Sequence, residues 1–328
     1  MKKIIVSALA ATSVLAASVA ASGAAFDISE PLSTNGPLTS PWVVSGTVAP
    51  AVVDNALLLT DATTSQNGFA LYDQAISVTR GIDVTFSQAQ WGGDGADGIV
   101  FFVKKGDDTS TTPGAAGGSM GYSRASDNDG DSSNGLVPVV GLSGALLGIG
   151  LDSYGNFAGA DADGTDCATS FVRGGGNAIS IRGAGQGQLG YCLLADSYGL
   201  SANSLEPLSA SYATRLEAAR TVRVVIDSAT ASDPRVQVYY DAGTTPIIDI
   251  ALPATFSSVP TVKIGFAAGT GGSTNNHAVW GLTSTTAASE EEELAPTGSS
   301  ETVGLGALIV ASLAGIAAVA VRRRRTQQ

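Results

Sequence analysis

Aspartates carry the densest chemistry in this sequence. D-N-D-G-D at Asp127 to Asp131 and D-A-D-G-T-D at Asp161 to Asp166 gather carboxylates that suit divalent cations. Asp97 lies in G-G-D-G-A-D-G, just ahead of the apolar run I-V-F-F-V. There it can offer two acceptor oxygens to a pair of vicinal hydroxyls, or close a turn before a buried strand. G-G-S-M-G-Y, from Gly117 to Tyr122, supplies glycines that let a backbone approach a ligand or a neighbouring chain closely. Catalytic chemistry is poorly served. His277 is the one histidine and has no clustered nucleophile beside it in sequence. No E-x-D-x-x-E strand supplies the two carboxylates that glycoside hydrolysis requires, so noncatalytic binding is expected.

Cys167 and Cys192 are the only cysteines. An even pair in an exported chain favours a disulfide restraining the segment between them. Their separation and the distant histidine fit no zinc pattern. The chain carries 29 acidic against 17 basic residues. Without Lys2, Lys3 and Arg322 to Arg325 the body is more acidic still, a surface that repels nucleic acid and anionic lipid.

The elements that must position these residues read as strands. Ala56 to Thr60, Ala75 to Phe86, Gly98 to Val103, Leu146 to Leu151, Ala178 to Ile181, Thr221 to Ile226, Val236 to Tyr240, Ile247 to Ile250, Val262 to Ala267 and Ala278 to Leu282 are short and rich in β-branched or aromatic residues. Turn residues separate them, which predicts an all-β sandwich or barrel. Leu205 to Ala219 is expected to be loop or a short turn, because Pro207 and its hydroxyl residues oppose a helix.

Four stretches in order resemble the legume-type, or concanavalin-like, lectin family, particularly its bacterial surface members. They are G-G-D-G-A-D-G-I-V-F-F-V (Gly92 to Val103), G-G-S-M-G-Y (Gly117 to Tyr122), G-I-G-L-D-S-Y-G-N-F (Gly148 to Phe157) and G-F-A-A-G-T-G-G-S-T-N-N-H-A-V-W-G-L (Gly265 to Leu282). N-A-I-S-I-R-G-A-G-Q-G, from Asn177 to Gly187, adds to the likeness. The resemblance implies a jelly-roll sandwich of two antiparallel sheets. It also implies sugar contacts from an exposed Asp97, from Gly118 and Asn156, and from Thr274, Asn275 and Asn276 in the last loop. Calcium would be held by Asp152, the Tyr154 carbonyl and Asn156, and by Asp161 or, in a shifted loop, Asp163. This is the mixture of carboxylate, carbonyl and amide oxygens that a hard cation takes. Gly150 stands where plant members carry a glutamate for a transition metal, so calcium alone is expected. His277 and Trp280 are expected to be structural. Glycans or glycoproteins are the implied partners, with a structural or protein-binding surface adhesin that keeps the sandwich without sugar affinity as the alternative.

Both ends read as export and anchoring signals. Residues 1–25 have Lys2 and Lys3, an apolar run from Ile4 to Ala21 and small residues to Ala25, the pattern of a cleaved signal peptide. The lectin-like domain is expected over 26–283, followed by an acidic spacer and sorting motif over 284–298 and a transmembrane segment with basic tail over 299–328. Leu294, Ala295, Pro296, Thr297 and Gly298 resemble a sortase signal of the L-A-x-T-G type. That resemblance implies sortase and peptidoglycan as partners, with cleavage after Thr297. The apolar stretch from Val303 to Val321 is long enough to hold the chain in the membrane before sorting. Localisation at the cell wall or surface of a Gram-positive bacterium follows from the same resemblance.

Overall fold

The computed structural model describes residues 27–126, 138–168, 175–198, 212–227, 232–254 and 256–286. Two antiparallel sheets form a sandwich with the concanavalin-like jelly-roll topology. In the first sheet the order is Ile248–Ala251, Arg235–Tyr240, Arg220–Ile226, Ile82–Trp91, Asn276–Thr286, Ala56–Thr60, Ala51–Val53 and Gly36–Pro37, with Ile28–Glu30 also on Asn276–Thr286. The second runs Leu189–Gly190, Gly185–Gln186, Ala145–Asp152, Gly98–Lys105, Thr261–Gly269, Asn67–Ser77 and Trp42–Gly46. Ala178–Arg182 also pairs with Ala145–Asp152, and Leu193–Asp196 pairs with Ala178–Arg182.

Alternation explains the first sheet. Val84, Phe86, Val222, Val224, Val236 and Val238 point inward, while Asp83, Thr85, Arg223 and Gln237 lie on the other face. The inner face meets Ile99, Phe101, Ile149, Leu151 and Phe266 of the second sheet. Phe86 and Phe266 pack edge to face with centroids 4.9 Å apart, a favoured geometry for ring quadrupoles. The second sheet is buried on both faces, which accounts for the unbroken apolar run from Ile99 to Val103. Its outer face carries Phe69, Leu71, Val100 and Phe102, roofed by Met120, Tyr122, Phe157 and Tyr191 from loops. Those roofing loops are the ones that bear the candidate site.

Three strand expectations change in detail. Ala75 to Phe86 is not one strand: Val78 is buried, Gly81 takes φ +74° and donates its N–H to the Val78 carbonyl, and the chain reverses between two strands. Trp42–Gly46 is an additional strand whose short sequence gave no alternation signal. The final strand runs Asn276–Thr286, longer at both ends than the Ala278 to Leu282 expected. Arg215–Ala218 forms one helical turn, nucleated by a capping box between Thr214 and Glu217.

The expectation of a transmembrane segment is corrected. Among the described residues no helix is long and apolar enough to cross a membrane. The stretch 303–321 on which that expectation rests lies outside the described residues, as do the expected signal peptide, the expected sorting motif and Asp127 to Asp131.

Candidate functional site

Asp97 is placed by three strands and two loops. Gly98 opens its strand between Asp152 on one neighbour and Gly269 on the other. A Cβ on Gly98 would lie 2.4 Å from the Leu151 carbonyl oxygen, so only glycine allows this approach. The Asp97 N–H donates to the Gly269 carbonyl at 3.0 Å, and its own carbonyl accepts from Ser153 and Tyr154 at 3.0 and 3.2 Å. The Ala96–Asp97 peptide is cis.

The turn ahead of Asp97 is held by the last loop. The Thr274 carbonyl accepts from Asp94 at 2.9 Å and from Gly95 at 3.0 Å. The Thr274 N–H in turn donates to the Asp94 carboxylate, which holds that carboxyl below its ordinary range. Asn275 is fully buried, and its Oδ1 accepts from the Gly93 N–H at 3.0 Å. Asn276 donates Nδ2 to the Trp91 carbonyl at 2.9 Å. Thr274 and Asn275 thus brace the Gly93 to Asp97 turn while Asn276 holds the strand end before it, and Asn275 has no surface to offer a ligand. His277 is buried, with Nδ1 2.6 Å from Thr60 Oγ1. Trp280 lies half-buried beneath the Arg215 guanidinium, 5.2 Å from the ring centroid.

Asp97 is not exposed. It is 4% accessible, and its Oδ2 has no hydrogen-bond partner among the described residues. A Cβ on Gly271 would lie 3.5 Å from that oxygen and one on Gly117 3.8 Å from it. Glycine backbone therefore faces Oδ2 on two sides, and the oxygen itself is closed to solvent in this structure. Gly118 lies against Asn156: a Cβ there would be 2.2 Å from the Asn156 Cβ. Asn156 and Tyr154 are exposed at the rim.

Asp152 sits beside Asp97 and is 1% accessible. Its Oδ1 accepts from Gly155 at 2.7 Å, and its Oδ2 from Phe157 and Ala158 at 2.9 and 3.4 Å. These bonds wrap the 152–158 loop around the carboxyl. Burial outweighs them and pushes its pKa up to about 7. Burial, and then the neighbouring Asp152, push Asp97 up to about 7 as well. Among the described residues no basic side chain forms an ion pair with either.

Two buried carboxyls without a cation, one with an orphaned oxygen, fit a hard divalent ion taking oxygen ligands. Asp161 is exposed, 3.3 Å from Ser126 Oγ, and follows the loop at the expected spacing. Asp163 is committed elsewhere: it is 6% accessible and paired with Arg182 at 2.7 Å. Among the described residues, the one place where three carboxylate, imidazole or thiol ligand atoms gather within 4.8 Å is Asp166 with Cys167 and Cys192. Those cysteines form a disulfide, so this group is no metal centre. Gly150 leaves space that the Phe157 ring fills, since a Cβ there would lie 2.2 Å from the ring.

The architecture is a legume-lectin-like jelly roll, with two buried aspartates where its sheet edge meets its loops. No protein-family model and no curated protein matches the sequence. Among solved structures, the chain is similar to the exoplasmic/lumenal domain of VIP36 bound to Ca2+ and Man3GlcNAc (16% identity, 82% of this chain, 92% of that one, TM-score 0.48). It is also similar to lectin II from Ulex europaeus (19%, 80%, 97%, 0.48) and to peanut lectin with a 9mer peptide (17%, 80%, 98%, 0.47). These are likenesses of chain path alone.

Proposed function

We propose that this chain is a noncatalytic, calcium-dependent carbohydrate-binding protein displayed outside the cell. The observation that carries the reading is the Asp97 carboxylate: buried, lacking a partner at Oδ2, faced by glycine backbone at Gly117 and Gly271, and adjacent to a second buried carboxyl. Calcium would be held by Asp152, the Tyr154 carbonyl, Asn156 and Asp161, where it would supply the charge that keeps the buried carboxyls ionised. Asp97 accepts hydrogen bonds from sugar hydroxyls, the Gly118 N–H donates one, and Asn156 contributes its amide at the rim. The 152–158 loop is already wrapped on Asp152, so little ordering entropy opposes binding. A glycosidase would instead need its two carboxyls on either side of the scissile bond, whereas here Asp152 is turned into its own loop. The Cys167–Cys192 disulfide supports an oxidising, exported location.

Attachment to the wall through Thr297 belongs to the same reading, and it rests on the L-A-P-T-G sequence. The experiment for the binding function is calorimetric titration of calcium into the secreted domain, wild type and Asp152→Ala. Wild type binds calcium and the variant loses at least about tenfold in affinity; equal affinity would remove Asp152 from the site.

A further inference from the structure

Arg182 is the largest fully buried side chain with a charge, and the binding chemistry just described leaves it unused. It ends the Ala178–Arg182 strand, opposite Gly148. Among the described residues its guanidinium donates to four groups. Nε donates to the Phe157 carbonyl at 2.5 Å and Nη2 to the Gly159 carbonyl at 2.7 Å. Nη1 donates to Asp163 Oδ1 at 2.7 Å and to the Tyr191 carbonyl at 2.5 Å. The guanidinium also lies 5.3 Å from the centre of the Phe157 ring, within reach of a cation–π attraction.

Two of these acceptors belong to the loop that carries Asn156. That loop is gripped from both sides: Asp152 accepts the N–H groups of Gly155, Phe157 and Ala158, while Arg182 donates to the carbonyls of Phe157 and Gly159. Phe157 is held at both its N–H and its carbonyl. The remaining donors tie Arg182 to the disulfide region, since Asp163 precedes Cys167 and Tyr191 precedes Cys192. The Gly164 N–H bonds the Gly190 carbonyl at 2.7 Å, closing the same junction. A lysine could keep the ion pair with Asp163 but could not span four acceptors in one plane.

We infer that Arg182 is a positioning residue for the binding site: a fixed internal cation that holds the Asn156 loop in its ligand-ready shape before any ligand arrives, with Asp163 as its counter-ion. This rests on the proposed calcium and glycan site for its purpose, but not for its geometry.

The test uses the secreted, disulfide-bonded domain with Arg182→Lys and Asp163→Asn. Hydrogen exchange is followed first in chelator, at the amides of Gly155, Phe157 and Ala158 and at sheet amides such as Phe101 and Val224. Calorimetry then measures calcium affinity. Arg182→Lys is expected to speed exchange at the three loop amides at least about tenfold, leave the sheet amides unchanged, and weaken calcium binding at least about tenfold. Asp163→Asn keeps an acceptor for Nη1 and is expected to give a smaller change of the same kind; it carries the test alone if Arg182→Lys is not secreted. Unchanged loop exchange, or acceleration spread equally over the sheets, would overturn the inference. If the wild type binds no calcium, the proposed function fails while the exchange arm still decides the role of Arg182.

Discussion

His277 should contribute a loss of stability in acid, and the size of that one contribution can be worked from its surroundings. The imidazole is fully buried between the Asn276–Thr286 strand and Thr60, and Nε2 has no hydrogen-bond partner among the described residues. Burial pushes its pKa from the ordinary 6.5 down to about 3. The unfolded chain therefore takes up a proton near pH 6.5 that the folded chain refuses. Stability tied to the neutral ring is complete above pH 6.5 and is lost as pH falls toward 3. At pH 4.5, two pH units below the unfolded value, the loss is roughly 3 kcal/mol. Asp97 and Asp152 act in the opposite direction in calcium-free buffer, since their folded pKa values are raised. Comparing wild type with His277→Gln removes that contribution, because both proteins contain it. The variant should be about 1–2 kcal/mol less stable than wild type at pH 7.5 through lost packing and the Thr60 bond. Urea unfolding at pH 7.5 and 4.5 should show this gap closing and reversing by roughly 3 kcal/mol in total. A gap that stays constant with pH would refute the assignment of a buried neutral histidine.

Gly118→Ala should push the Asn156 side chain away, since the new methyl would meet its Cβ at 2.2 Å; glycan binding, read by array or calorimetry, should fall at least about tenfold with the sheets intact by circular dichroism. Replacing Cys167 and Cys192 together by serine opens a loop with a sequence separation of 25, and urea unfolding should show a loss of ~3.5 kcal/mol by the chain-entropy relation. In a host with a suitable sortase, Thr297→Ala should move the protein out of the covalent wall fraction, as read by fractionation and blotting.

The strands were legible where alternation is strong, as at Thr221 to Ile226 and Val236 to Tyr240, because one face of that sheet meets water and the other the core. Ala75 to Phe86 misled because the turn at Val78 to Gly81 keeps its apolar residue buried, so the hydrophobic pattern runs on through a reversal. In the site, Asp97, Gly118, Asp152 and Asn156 carried local motifs and fall together in space. Gly117, Gly271 and Arg182 lie in recognisable motifs but drew no role of their own, since the value of each depends on a partner brought near by the fold. Nor does sequence reveal that Asp163 faces a guanidinium from the next strand, or that Asn275 turns inward to an amide 182 positions away.

The central claim is that Asp97, faced by glycine backbone at Gly117 and Gly271, receives a sugar in a calcium-organised site. A glycan array of the secreted domain, wild type and Asp97→Ala, read in calcium and again in chelator, tests it most directly. The account predicts glycan signals for wild type in calcium, lost in chelator and lost in Asp97→Ala even with calcium present. Signals that persist in Asp97→Ala, or that ignore the chelator, would contradict it.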